Sequence, residues 1–169
     1  MRYFTDELWK GINSDSKEER EKSNLQWDKN DEEYYKIFEK VEKLLPKKFL
    51  KIYKQEYGFH DYELKNYEVI HGKQGYKDPV AVNIVISNTE KTWNIGYEKI
   101  KKIVINYELQ PDVFGRKRRR EYRGFDDYGY NEFYQINEKT LSHEILFASG
   151  ATILVHFEKI SINKASEKK

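Results

Sequence analysis

Leu141-Ser142-His143-Glu144-Ile145-Leu146-Phe147-Ala148-Ser149-Gly150-Ala151-Thr152-Ile153-Leu154-Val155-His156-Phe157 alternates with period two on both sides of Ser149-Gly150. Side chains on a strand point to opposite faces in turn, so two such arms around a turn residue pair form a hairpin. The second arm continues to Ile162, and the stretch from Leu141 to Ile162 reads as two strands. If Ser149-Gly150 is a two-residue turn, His143 faces His156 directly; a three-residue turn separates them.

The same period runs backwards from the hairpin. Tyr62 to His71 is a strand, Val80, Val82, Ile84 and Ile86 alternate, and Ile103, Ile105, Tyr107 and Leu109 alternate again until Pro111. Glu132 to Ile136 adds a short strand.

Before Gly58 the period is helical. Thr5 is an N-cap, Asp6 and Glu7 complement the first-turn dipole, and Phe4 is placed to staple onto Trp9, giving a helix to about Ile12. Ser16 with Glu19 is a capping box, followed by a largely solvated stretch anchored by Leu25 and Trp27. Asn30 with Glu33 is a second capping box, ahead of Tyr34, Ile37, Phe38, Val41, Leu44 and Leu45 at helical spacing; residues 17–45 read as one helix or two. Pro46 opens a further helix with Phe49, Leu50, Tyr53 and Tyr57 on one face, and Gly58 ends it.

Helices first and strands afterwards, without alternation, predict an α+β domain: N-terminal helices (1–57) packed on a C-terminal antiparallel sheet (58–163) of five or six strands. At 169 residues this is one domain, over 1–163, with 164–169 a disordered tail. Charged residues make up 36% of the chain, but 15% aromatic residues supply core material that disordered chains lack. The chain has no cysteine, which excludes disulfides, thiolate catalysis and Cys-based metal sites and fits a reducing, cytoplasmic setting. No window resembles a membrane span or a secretory leader.

Arg116-Lys117-Arg118-Arg119-Arg120-Glu121-Tyr122-Arg123 is the one run where charges do not cancel. Between Pro111 and Tyr130, six Lys/Arg stand against four acids, a surplus of +2 that equals the chain's whole formal charge. Aromatic residues flank the run, and Arg123-Gly124-Phe125-Asp126-Asp127-Tyr128-Gly129-Tyr130-Asn131 has the Tyr, Gly and Asn content of protein-binding loops. A loop of about twenty residues in a compact domain is functional or disordered. The expected contacts are Arg118, Arg120, Tyr122, Arg123, Phe125, Tyr128 and Tyr130 as anchors, with Asp126 and Asp127 orienting a protein partner at the rim. In the alternative reading the arginines neutralise phosphates and the tyrosines stack on nucleic-acid bases.

Constellations for catalysis are incomplete. His143 and His156 lack a third metal ligand, since Glu144 points to the other face. His60-Asp61 lacks the spaced His and Asp of a metal phosphohydrolase, and Asp112 with Glu121 and Arg123 has arginine where a nuclease would use lysine. Gly72-Lys73-Gln74-Gly75 lacks phosphate-loop spacing and reads as a turn between strands. No catalytic residue, cofactor or metal is expected, and the reading is a non-enzymatic binding protein.

The opening Met1-Arg2-Tyr3-Phe4-Thr5-Asp6-Glu7-Leu8-Trp9, together with Gln26-Trp27, Glu33-Tyr34-Tyr35 and the hairpin from Ser142 to Gly150 with Ile153, Val155 and Phe157, resembles an uncharacterised family of small bacterial cytosolic proteins. Its members open Met-Lys/Arg-Tyr-Phe-Thr-x-Glu-Leu. The resemblance carries no activity, and the Arg116–Arg120 run is not part of its pattern. The layout of helices followed by sheet is also similar to that of bacterial immunity proteins, which neutralise a toxin by covering its active site; that likeness implies a protein partner.

Overall fold

The computed structural model describes residues 1–72, 78–108 and 124–165. Within them the α+β class holds, but the strands form two antiparallel four-stranded sheets rather than one of five or six. Helices α1 (Asp6–Ile12), α2 (Lys17–Val41) and α3 (Lys47–Gln55) precede β1 (Glu63–His71), β2 (Val80–Ser87), β3 (Thr92–Glu98), β4 (Lys102–Asn106), β5 (Tyr128–Gln135), β6 (Leu141–Phe147), β7 (Thr152–Phe157) and β8 (Lys159–Lys164). The sheet orders are β1-β2-β3-β8 and β4-β7-β6-β5. No helix among the described residues is long and apolar enough to cross a membrane.

One corner explains the split. β3 runs into β4, and β7 into β8, as one long antiparallel ribbon that passes from one sheet to the other. Between the pairs Glu98↔Lys159 and Lys102↔His156, residues 99–101 oppose only 157–158. That extra residue is a β-bulge, which bends its strand and raises the twist. Lys99 takes up the bend in the left-handed region (φ 55°). The Lys99 and Lys101 ammonium groups converge on the Glu158 carboxylate at 3.4 and 2.9 Å, and Lys101 is the chief cause of that carboxyl's lowered pKa. The bend also leaves a trace in the pattern. Ile153, Val155 and Phe157 face the core and so do Ile160 and Ile162, a change of parity that a single straight strand cannot produce.

Two expected strands therefore become three after residue 140, and β3 adds another strand that the sequence reading passed over. Its Trp93, Ile95 and Tyr97 alternate inward, but Asn94 and Gly96 between them dilute the β signal. A Cβ at Gly96 would lie 2.9 Å from Ser161 Oγ on β8, so a larger residue there would require that hydroxyl to turn away. The sheets also meet on their other side. Asp61 N–H donates to Tyr128 O (3.0 Å), Tyr128 N–H donates to Tyr62 O (2.6 Å), and Glu63 bridges Asp127. The strands thus nearly encircle the core.

The hairpin turn is three residues long. Leu146 pairs with Thr152, Ala148-Ser149-Gly150 form the loop, and Gly150 sits at φ 87°. This is the loop length that ends on a left-handed residue. It sets His143 opposite Val155 and His156 opposite Ser142, so the two imidazoles point to opposite faces and the expected face-to-face pair does not form.

At the helical end, α1 is capped as read, with Thr5 Oγ1 accepting from Leu8 N–H at 3.3 Å, and Ser16 Oγ accepts from Glu19 N–H at 3.4 Å. The second capping box does not break the chain. Asn30 lies inside a continuous α2 because its side chain is engaged elsewhere, its Nδ2 donating to Tyr3 O at 2.7 Å. Phe4 and Trp9 do not staple to each other but converge on Tyr130, at 5.8 and 5.5 Å between ring centroids.

The N-terminal strand of residues and α2 cover the outer face of β5 and β6. There Glu132 and Glu144 are cross-strand partners, an arrangement of like charges that is destabilising unless compensated. Glu132, fully buried, accepts N–H bonds from Arg2 (2.8 Å), Tyr3 (2.8 Å) and Phe4 (2.7 Å) and the Tyr134 hydroxyl (2.5 Å). Glu144 pairs with the Met1 ammonium at 2.8 Å, and the Arg2 guanidinium lies 4.6 Å over the Tyr134 ring. A buried carboxylate, Glu132, and a partly exposed one, Glu144, thus clamp the first four residues against the sheet.

Glu132→Gln replaces an acceptor-only carboxylate by an amide that offers donors to donors. Hydrogen bonds to charged groups are worth about 1.5–3 kcal/mol each, so a loss of about 2–3 kcal/mol is expected in urea unfolding. Amide exchange of Arg2 to Phe4 should accelerate in the folded protein. Unchanged stability and exchange would show that the carboxylate is not the clamp.

Candidate functional site

Arg118, Arg120, Tyr122 and Arg123 lie outside the described residues, as do Asp112 and Glu121. Phe125, Asp126, Asp127, Tyr128 and Tyr130 lie within the described residues, and most of them are built into the framework. Phe125 is half-buried, edge-on to Phe147 (5.3 Å, 89°) and stacked on Tyr107 (5.4 Å, 29°). Asp126 Oδ1 accepts from Ser149 N–H at 3.0 Å, and Asp127 O accepts from Ala148 N–H at 2.9 Å, so both hold the hairpin loop. Tyr128 has no exposed surface and is a core residue, not a surface contact. β5 begins there, four residues ahead of the expected strand, because Gly129 allows a bulge between Tyr128 and Tyr130 with the Leu146 carbonyl only 3.0 Å from where a Cβ would sit. Tyr130 is half-buried and turns to the outer face, towards the helices.

Behind β5 lies a buried polar chain centred on His143, which stacks on Phe133 at 3.9 Å and 11°. Its donors and acceptors can be assigned in order. Asn131 Nδ2 donates to Gly58 O (3.0 Å), which fixes the amide, and Asn131 Oδ1 accepts from the Tyr53 hydroxyl (2.8 Å). His143 Nε2 lies 3.2 Å from that oxygen, so Nε2 carries the proton. Nδ1 is left as acceptor for the Tyr97 hydroxyl at 2.7 Å, while the Tyr128 oxygen stands 3.1 Å from Nε2. Burial pushes the imidazole pKa down to about 3 and raises those of Tyr53, Tyr97 and Tyr128, so every member is neutral at physiological pH. A histidine so enclosed is a structural hub. His156, on the opposite face beside Lys102, cannot join it in a metal site. Among the described residues no group of three or more His, Asp or Glu is placed to hold an ion.

The polar chain ends at the wall of a pocket of about 440 Å³ between α2, β5 and the turn after α3. Its aromatic lining is Phe4, Trp27, Tyr34, Tyr53, Tyr57 and Tyr130; its polar lining is Asp31, His60 and Asn131, with the backbone of Gly58 and Gly129. Trp27, Asp31 and Tyr34 share a stripe of α2 at spacings of four and three. Tyr130 lies 4.4 Å from Trp27 at 63° and 5.1 Å from the His60 ring, while Phe4 lies 4.7 Å from Trp27. The turn that supplies Tyr57, Gly58 and His60 is held in an unusual backbone state. Tyr57, Gly58, Phe59 and Asp61 all have positive φ (49°, 66°, 65° and 62°), and non-glycine residues there are costly and cluster at functional sites. Phe59, fully buried, and the Asn131–Gly58 bond keep it so. Tyr57 meanwhile is 88% exposed at the rim.

His60-Asp61, weighed as half of a metal site, has another role: His60 Nδ1 lies 2.6 Å from Gly129 O, closing the turn onto β5. The sequence reading used Trp27 and Tyr34 as helix anchors and as part of a family resemblance, and missed the pocket. The signal available was the carboxylate of Asp31 within an otherwise aromatic stripe. Gly72 ends β1, donating to Pro79 O at 2.9 Å, while residues 73–77 lie outside the described set.

The histidine network makes stability depend on pH. The folded pKa of about 3 lies below the unfolded value of about 6.5, so the unfolded chain binds the proton first as pH falls. The contribution is therefore complete above pH 6.5 and is lost towards pH 3, at up to about 1.4 kcal/mol per pH unit. His143→Phe should cost about 2–4 kcal/mol at pH 7 by leaving buried hydroxyls unpaired, and should flatten unfolding free energy between pH 6.5 and 5 relative to wild type. Parallel slopes for the two proteins would refute a buried neutral histidine.

No protein-family model matches this sequence, and no curated protein matches it. A solved structure, the crystal structure of an uncharacterized protein from Neisseria gonorrhoeae, is similar over 62% of this chain and 92% of its own, at 17% identity and a TM-score of 0.41.

Proposed function

We propose that the protein is a non-enzymatic protein-binding module of the immunity type, docking on its partner through the 111–131 segment. The observation that carries this reading is the root of that segment. Tyr107, ahead of the segment, and Phe125, within it, stack at 5.4 Å, and Phe125 in turn lies edge-on to Phe147, so the described residues on the two sides of 109–123 are held together at one point of the framework. A binding segment with clamped ends loses less freedom on association than one hung from a mobile linker. Phe125, Asp126 and Tyr128 hold the root, and Arg118, Arg120, Tyr122 and Arg123 are the partner's contacts. Arginine and tyrosine are the side chains that dominate such interfaces.

The test compares wild type with a variant carrying Ala at Arg118, Arg120, Tyr122 and Arg123, using the product of the adjacent gene as the first candidate partner. Direct binding weakened about 30-fold or more in the variant, with an unchanged fold by circular dichroism, is the expected result. Equal binding by both would remove the segment from the interface. Fluorescent single-stranded RNA and DNA are titrated alongside at low and physiological salt. Salt-sensitive affinity lost in the variant would replace the protein-partner reading with a nucleic-acid one.

A further inference from the structure

The pocket over α2 has a chemistry unrelated to the basic segment. Its walls are aromatic, and the one formal charge among its lining residues, apart from the titratable His60, is the Asp31 carboxylate. That carboxylate has no ion-pair or hydrogen-bond partner among the described residues, and no lysine or arginine lines the cavity. The helix around it is acidic: Asp28, Asp31, Glu32 and Glu33 stand against Lys29 between residues 28 and 33, a balance of −3. Across the cavity, Asp61 adds its field to Tyr130, where it is the second cause, after burial, of a raised phenol pKa. The site is therefore built to attract positive charge.

The polar groups inside decide which kind of cation fits. Asn131 is committed to Gly58 and Tyr53, the Gly129 carbonyl is taken by His60, and the Tyr34 hydroxyl accepts from Phe133 N–H at 2.6 Å. A primary ammonium entering there would give up hydrogen bonds to water with few replacements, at a cost that buried donors do not recover. A quaternary ammonium has no N–H to satisfy and is attracted to aromatic faces by their quadrupole, tryptophan above all. A volume of 440 Å³ lies in the range of whole small ligands, larger than a single methylated head group requires.

We propose that the pocket bounded by Trp27, Tyr57 and Tyr130, with Asp31 at its mouth, binds the quaternary ammonium group of a free small molecule. Trp27 and Tyr130 form the floor, exposed Tyr57 closes over the bound cation, and Asp31 neutralises it. The unusual turn at 57–61 is what holds Tyr57 and His60 at the edge. This site is independent of the 111–131 segment, and neither reading depends on the other.

Choline and its neutral carbon isostere 3,3-dimethyl-1-butanol are titrated into the full chain, read by calorimetry and by the indole N–H resonances of the three tryptophans. The expected result is saturable choline binding that shifts the Trp27 indole selectively, with the isostere at least about tenfold weaker. Asp31→Asn and Tyr57→Ala, both at exposed positions, should each weaken choline by about three- to tenfold with the fold unchanged. Equal affinity for the two probes would make this an apolar pocket without cation preference and overturn the proposal. So would the absence of a selective Trp27 shift. A trimethyl-lysine peptide that bound more tightly than choline would overturn the free small molecule as the source.

Discussion

The imidazole of His143 is the point on which the rest of the molecule is aligned. It sits on β6 in one sheet, receives the Tyr97 hydroxyl from β3 in the other, and reaches through Asn131 on β5 to Tyr53 on α3 and to the carbonyl of Gly58. Each bond fixes the donor or acceptor sense of the next, so the chain of contacts has one consistent arrangement of hydrogens. Apolar packing alone tolerates small slides between sheets and helix; a fully satisfied polar network in a dry core does not. The Phe133 ring stacked at 3.9 Å excludes water from one face of the imidazole and keeps the network dry. Because the chain ends at Gly58, the geometry of the pocket turn is set from inside the core.

The outer face of the same sheet solves the opposite problem. There the sequence brings two carboxylates, Glu132 and Glu144, side by side with no lysine or arginine side chain ion-paired to either among the described residues. Their compensation comes from backbone N–H groups and the chain's own terminal ammonium. The helical layer is consequently tied to the sheet by charge as well as by the Phe4, Trp27, Tyr34 and Tyr130 aromatic cluster. The pocket lies in the seam between these two attachments.

What could be read from the sequence was what depends on local periodicity. Thr5 and Ser16 cap the helices they were expected to cap, and the arms of the Leu141–Phe157 hairpin are strands. The corner at Lys99 was passed over, because its trace in the sequence is only the change of parity between Phe157 and Ile160, and the alternation on either side of that step is unaltered. The turn at Gly150 depended on a single residue: two or three loop residues look alike in sequence, yet the difference sends His143 and His156 to opposite faces. Tyr128 was misplaced for a related reason, since tyrosines beside glycines suit a binding loop and a bulged core strand equally well. Asp31 drew no notice, and Tyr57 was read as part of a packed helix face although α3 ends at Gln55 and leaves it exposed, because the meaning of both lies in neighbours more than 60 residues away, such as Gly129 and Tyr130.

The clamp on the first four residues also sets an order of events at the ribosome. Arg2, Tyr3 and Phe4 emerge well before their acceptor, Glu132, which follows 128 to 130 positions later. At synthesis rates of roughly 5–20 residues per second, that is a wait of about 6–26 seconds. Throughout it the leading segment has nowhere to dock, and Phe4, Trp27 and Tyr34 lack the β5 surface that buries them. The helical layer must therefore persist as a nascent, partly exposed element, and the amino terminus of this chain is among the last parts of it to reach its native place.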